Sequence, residues 1–81
     1  MPRFYFDLRE DGSVLADDDG VDFPNIELAA GEASRAAAEI VRDNILRTGN
    51  LQEIAVEVRN ESGEYVLSST LTLHMTPLRR D

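Results

Sequence analysis

The densest set of groups able to do chemistry is a run of carboxylates, Asp17, Asp18, Asp19, Asp22 and Glu27, interrupted by Gly20. Oxygen donors of this kind suit a hard cation such as Ca²⁺. An EF-hand loop needs acids at alternate positions ahead of its glycine and a glutamate six residues after it. With Gly20 as that glycine the first ligand position falls on Leu15. The spacing therefore assigns the run to a solvated turn, and no metal or cofactor is expected. His74 is the single histidine, and a lone imidazole could serve as a general base. The chain holds no cysteine and no serine in a nucleophile-elbow setting, so His74 has nothing to activate and is read as a polar residue near a strand end. Paired carboxylates for glycosidase-type chemistry need a cleft, which a domain this thin rarely encloses. No catalytic, cofactor-binding or metal residue is assigned, and the expectation is that the chain is not an enzyme.

These groups must be carried by a small scaffold. In 81 residues there is room for one hydrophobic core and no second domain, read as a single domain 1–81 with an ordered core over about 2–74 and a frayed tail 75–81. Apolar residues make up 42% and charged residues 30%, proportions of a chain that folds rather than of a disordered one. The lack of cysteine removes disulfides and thiolate sites together and fits a reducing compartment, so the expected location is the cytoplasm. No basic stretch leads into an apolar run after Met1, and nowhere do enough apolar residues follow one another to cross a bilayer.

The net charge is −8, and all the positive charge comes from arginine. Such a chain repels phosphate backbones and anionic lipid surfaces, so neither nucleic acid nor a membrane is an expected partner. The imbalance is concentrated in residues 1–28, where eight acids meet two arginines.

From Arg3 to Arg9 the chain alternates, with Phe4, Phe6 and Leu8 on one side and Tyr5, Asp7 and Arg9 on the other, which predicts a strand buried on one face. Asp11-Gly12 suits a two-residue type I′ turn. That register sets Leu8 opposite Leu15 and Arg9 opposite Val14, with a short second strand from Ser13 to Ala16. Asp17 to Gly20 breaks the pattern, and Val21 and Phe23 resume it as a brief extended return up to Pro24. Asn25 is a good N-cap, with Glu27 in the first turn of a helix that Thr48-Gly49-Asn50 ends.

At about 100° per residue, Ile26, Ala29, Ala30, Ala33, Ala36, Ala37, Ile40 and Val41 form one stripe, with Glu32, Arg35, Glu39 and Arg42 outside it. The stripe is mainly alanine, so the helix is expected to approach its sheet closely and the sheet must supply the bulk. The outer charges, with Asp43 and Arg47, have the spacing of weak surface ion pairs. Leu28, Ile45 and Leu46 lie off the stripe, either covering the helix ends or forming a contact surface. Glu53 to Asn60 alternates with Ile54, Val56 and Val58 inward, and Tyr65 to Leu73 answers it after Glu61-Ser62-Gly63-Glu64. A two-residue Ser62-Gly63 loop, the preferred reading, sets Val58 against Leu67 and Ile54 against Leu71. A three-residue loop would set Val58 against Val66 and turn Ser68 and Thr70 inward.

The predicted fold is thus α+β, in the order β-β-α-β-β: a four-stranded antiparallel sheet, spatial order 2-1-3-4, with one Ala-rich helix on one face. Its other face collects Tyr5, Asp7, Arg9, Ala55, Glu57, Arg59, Val66, Ser68, Thr70 and Thr72. RNA-binding sheets stack bases on aromatics within a basic field, whereas here the field is acidic. We read this face as solvated, with a subunit or partner interface as the competing reading.

The opening Met1-Pro2-Arg3-Phe4-Tyr5-Phe6, the Asp11-Gly12 turn, Asp17-x-x-Gly20, Phe23-Pro24 and the Glu32-Ala33 helix together resemble a family of short uncharacterised bacterial proteins classed as a domain of unknown function. The resemblance spans about Pro2 to Leu73 and implies a fold and no activity. Members often carry His where this chain has Asp7, so a role tied to that His does not carry over. A weaker resemblance joins Gly20-Val21-Asp22-Phe23-Pro24-Asn25-Ile26 and the following helix to HicB-type antitoxins, which place more residues and another turn before their helix. The expected function is a small protein-interaction module, with a homodimer or a protein partner. The alternative is an antitoxin-like or regulatory acidic partner of a basic protein. A small enzyme or ligand binder is the third reading.

Overall fold

In a computed structural model the chain forms β1 (Arg3–Glu10), β2 (Ser13–Leu15), β3 (Val21–Asp22), α1 (Ile26–Thr48), β4 (Glu53–Arg59) and β5 (Tyr65–Thr72). The structure describes residues 1–10, 12–48, 53–72 and 77–79, without the side chains of 44–48. His74, Asp11, Gly49, Leu73 and the side chains of Ile45 and Leu46 lie outside the described residues.

The sheet is antiparallel in the order β2-β1-β4-β5, the predicted order, and β3 adds a fifth short strand that also pairs with β1. The first hairpin has the expected register, Leu8 opposite Leu15 and Arg9 opposite Val14, with Gly12 at φ 81°. The extended return at Val21 is a true pair of residues on the ladder, Phe4 opposite Val21 and Arg3 opposite Asp22. β2 and β3 therefore occupy successive stretches of one edge of β1, and residues 16–20 leave the ladder between them.

The second hairpin is built differently from the preferred reading. Gly63 N–H donates to Asn60 O at 3.0 Å and Asn60 N–H donates to Glu64 O at 2.9 Å, which makes a three-residue loop, Glu61 to Gly63, with Gly63 at φ 85°. The loop sets Arg59 opposite Tyr65. One step further on, Val66 is bulged out, and the pairing resumes as Val58 opposite Leu67 and Ile54 opposite Leu71. The loop is the three-residue one, and the bulge restores the register that the two-residue loop would have produced. Leu67 and Leu71 thus stay on the helix side, and Ser68 and Thr70 on the other.

Asn25 caps α1, its Oδ1 accepting the Leu28 N–H at 3.0 Å. The stripe buries Ala29, Ala33, Ala37 and Val41 against Phe4, Ile54, Val56 and Val58. Full burial of one branched side chain such as Ile54 contributes roughly 1.5–3 kcal/mol. Ile26, at the start of the stripe, is exposed, and so is the off-stripe Leu28 at 53%. The helix packs about equally on β4 and β5, and Ser34 Oγ lies 2.9 Å from Ser69 Oγ. Phe6 and Leu8, on the β1 side, are only half-buried, and Leu15 on β2 is 70% exposed. No helix among the described residues is long and apolar enough to cross a membrane.

Candidate functional site

Two features stand out beyond the core: a polar knot on the outer sheet face and an open groove on the helix side. The knot centres on Asp7. Alternation turns Asp7 away from the helix, and the reading of that face as solvated fails at this residue, which is 2% exposed. Arg59 Nε donates to Asp7 Oδ2 at 2.8 Å and Arg59 Nη2 to Oδ1 at 3.0 Å. Tyr65 Oη donates to Oδ2 at 2.7 Å, and the Asp17 backbone N–H to Oδ1 at 3.0 Å. Arg59 Nη2 also donates to Asp17 O at 3.0 Å, and its guanidinium carbon lies 5.0 Å from the centre of the Tyr5 ring.

Each contributor is placed by the backbone. Asp7 faces Glu57 and Tyr5 faces Arg59 on the β1–β4 ladder, so Arg59 reaches Asp7 along the diagonal. The Val66 bulge puts Tyr65 opposite Arg59, on the outer face, from which its hydroxyl reaches over β4 to β1. Residues 16–20 bring Asp17 over the edge.

The Asp17 carboxylate fills the gap in the β1 ladder. Its Oδ2 accepts the Phe6 N–H at 3.1 Å, and its Oδ1 accepts the N–H groups of Asp19 at 3.0 Å and Gly20 at 3.2 Å. The acidic run is thus not uniformly a solvated turn. Asp17 is half-buried and structural, Asp22 pairs with Arg3 at 3.0 Å, and Asp18 and Asp19 project into solvent.

The electrostatics follow from these contacts. The Arg59 hydrogen bonds dominate at Asp7 and, with those of Asp17 and Tyr65, overcome burial to hold its pKa at about 2. Burial raises the Asp17 pKa, but the bonds from Phe6, Gly20 and Asp19 outweigh it and the net shift is downward. The Tyr65 pKa is raised, first by its hydrogen bond to Asp7. A general base near neutral pH needs a pKa near 7 and a free lone pair directed at a substrate. Asp7 is ionised far below that and has each oxygen engaged twice. Its arrangement suits the tying of β1, β4, β5 and the 16–20 loop to one another.

Among the described residues no three acidic or imidazole side chains converge on a common point. Of the expected surface ion pairs on α1, Arg35 stands between Glu32 at 2.7 Å and Glu39, whereas Arg42 pairs with its neighbour Asp43 at 3.9 Å rather than with Glu39, and the Arg47 side chain lies outside the described residues.

The groove lies where α1 leaves the sheet uncovered. It is an open depression of about 360 Å³ lined by Phe6, Leu8, Leu15 and the segment Ala16 to Asp19. The Phe23 ring stands edge-on to Phe6 with centroids 5.9 Å apart and packs against that side chain. The Asp18 and Asp19 carboxylates make no ion pair among the described residues. The sequence pattern placed Leu8 beside Leu15 and the helix on that face of the sheet, but it did not distinguish the strands that the helix covers.

No curated protein and no solved structure matches the chain. A family model, the domain of unknown function DUF6894, matches residues 3–72, nearly the whole of the ordered α+β unit described above. The chain belongs to the DUF6894 family.

Proposed function

We propose that this chain is a small non-enzymatic protein-interaction module that docks a basic partner in the groove beside α1. The observation that carries the reading is the uncovered floor of Phe6, Leu8 and Leu15 beneath the unpaired carboxylates of Asp18 and Asp19. Water-exposed apolar surface gains from a non-polar side chain seated on it, at about 25 cal/mol per Å² removed from water. The carboxylates select what flanks that side chain, favouring Arg or Lys and repelling Asp or Glu. An antitoxin-like or regulatory partner of a basic protein would use this chemistry, which unites the charge of the N-terminal third with a defined seat.

The test is an amide-shift titration of the isotope-labelled protein with a short peptide alternating Leu and Arg. The expected shifts fall at Phe6, Leu8, Leu15 and Asp18, shrink in high salt and vanish in Leu15→Asp. Shifts spread evenly over the acidic surface, or unchanged in Leu15→Asp, would overturn the reading.

A further inference from the structure

We propose that the free edge of β5 pairs antiparallel with β5 of a second copy, across a two-fold axis at Ser69. The inference is independent of the groove, which lies at the opposite side of the sheet.

Among the described residues β5 is an outer strand of eight residues, Tyr-Val-Leu-Ser-Ser-Thr-Leu-Thr, and mostly exposed. It contains no charged residue, proline or glycine. Edge strands of monomeric proteins are blunted by such residues, by shortness or by a covering element, because an unpaired row of N–H and C=O groups is a template for another strand. The other edge of this sheet is blunted by shortness and by nearby charge. β2 has three residues, β3 has two, and the break between them is plugged by the Asp17 carboxylate and surrounded by acids. On β5 the one irregularity is the bulge at Val66, which leaves the run from Leu67 to Thr72 regular.

The pattern of β5 is self-complementary in one register. Antiparallel partners must point to the same face. An axis at Ser69 sets Leu67 against the partner's Leu71 on the helix side, and Ser68 against the partner's Thr70 on the other. Apolar meets apolar, hydroxyl meets hydroxyl, and no charge is opposed by its like. An axis one residue earlier would oppose Tyr65, turned outward by the bulge, to the partner's Leu71, which faces the helix.

The helix layer fits the same axis. α1 sits over β4 and β5, so continuing the sheet through β5 places the two helices two strand spacings apart, about 9.6 Å at ~4.8 Å per strand. Packed helices lie about 8–10 Å apart. The Ser34–Ser69 contact marks the part of α1 nearest the axis, and within about one turn of Ser34 the helix carries Ala30, Gly31 and Ala38 on that side, small enough for a second helix to approach, with Glu27 two turns away. The pairing also keeps the two acidic β2 edges outermost, which limits repulsion between copies of charge −8.

Sedimentation equilibrium of the full chain at high micromolar concentration should give twice the 9.0 kDa chain mass. Because the chain has no cysteine, single substitutions read the register. Ser69→Cys should cross-link between copies under mild oxidation, and Ser13→Cys on the far edge should not. Ser69→Lys, which opposes two ammonium groups at the axis, and Thr70→Lys on the exposed face should each return a monomer with an unchanged far-ultraviolet spectrum and unchanged groove shifts. A monomeric wild-type chain would overturn the proposal. So would a dimer that survives both lysines, or one that cross-links through Ser13→Cys and not Ser69→Cys.

Discussion

Arg59 grips Asp7 through both carboxylate oxygens along the β1–β4 diagonal, at 2.8 and 3.0 Å. The pair makes stability depend on pH with a definite sign. The folded-state pKa of Asp7, about 2, is depressed below its unfolded value, so its contribution is complete above the unfolded pKa. It fades as the pH falls from about 4 towards 2, by up to about 2 kcal/mol. Chemical denaturation of the wild type should therefore show an acid slope in that window, and Asp7→Asn should flatten it. At neutral pH Asp7→Asn should cost about 2–4 kcal/mol, since it strands the guanidinium against an amide with a donor of its own. Equal acid slopes in the two proteins would contradict the assignment.

Tyr65 tests the same knot from the third strand. Its raised pKa means that the neutral phenol is favoured in the fold, because a phenolate would face the Asp7 carboxylate across a 2.7 Å contact. The stabilisation is present below the unfolded tyrosine pKa and is lost as the pH rises through the higher folded one. A spectrophotometric titration should show a late-ionising tyrosine that Tyr65→Phe removes. The same substitution takes one donor from Asp7, so the Asp7 carboxyl carbon should titrate at a higher pH by NMR. An unmoved Asp7 titration would show that the hydroxyl does not donate to it in solution.

Much of the fold was legible because it depends on local pattern. The pairings Leu8–Leu15 and Ile54–Leu71 followed from alternation with turn residues, and the alanine stripe from helical period. The knot was not, because alternation assigns a side chain to a face and is silent on what covers that face. Asp7 is covered by Arg59, Tyr65 and Asp17, from three other segments, and Tyr65 arrives through a bulge that no residue type in Tyr-Val-Leu announces. The available signal was a carboxylate facing away from the helix on a strand that must pair with one carrying an arginine two residues off the level position. The groove escaped for a related reason. Period identifies which side of a helix is buried, whereas its lateral position over β4 and β5 depends on the bulk of the sheet residues beneath it.

The close approach of α1 is open to an overpacking test. Ala33 and Ala37 are at most 1% exposed and lie against Ile54, Val56 and Val58. Enlarging either to leucine leaves helix propensity almost unchanged but has no volume to occupy, so each should cost about 1–3 kcal/mol in urea denaturation. Leu28→Ala, on the exposed side of the same helix, should stay within about 0.5 kcal/mol. If Ala33→Leu and Leu28→Ala were equally mild, the helix would be rotated from the orientation described here.

Two glycines should respond to alanine in opposite directions. Gly20 ends the acidic loop at φ +72°, where a Cβ would stand 2.8 Å from Arg3 Cγ, 2.9 Å from Tyr5 Cε1 and 3.0 Å from Phe4 O. One of those neighbours is backbone of β1 and cannot retreat without breaking the pairing with Val21. Gly20→Ala thus combines left-handed strain with a clash and should cost about 2–4 kcal/mol. The loss of Asp17 from its place at the β1 edge should appear as faster exchange of the Phe6 amide. Gly31 lies mid-helix, without left-handed backbone, and a Cβ there would meet nothing within 4 Å. Gly31→Ala should stabilise by about 0.5–1 kcal/mol through the unfolded state, read as a higher urea midpoint with an unchanged slope. The double substitution should be the sum of the two, since the sites share no neighbours. A stabilising Gly20→Ala would mean that the loop does not close over Tyr5 as described.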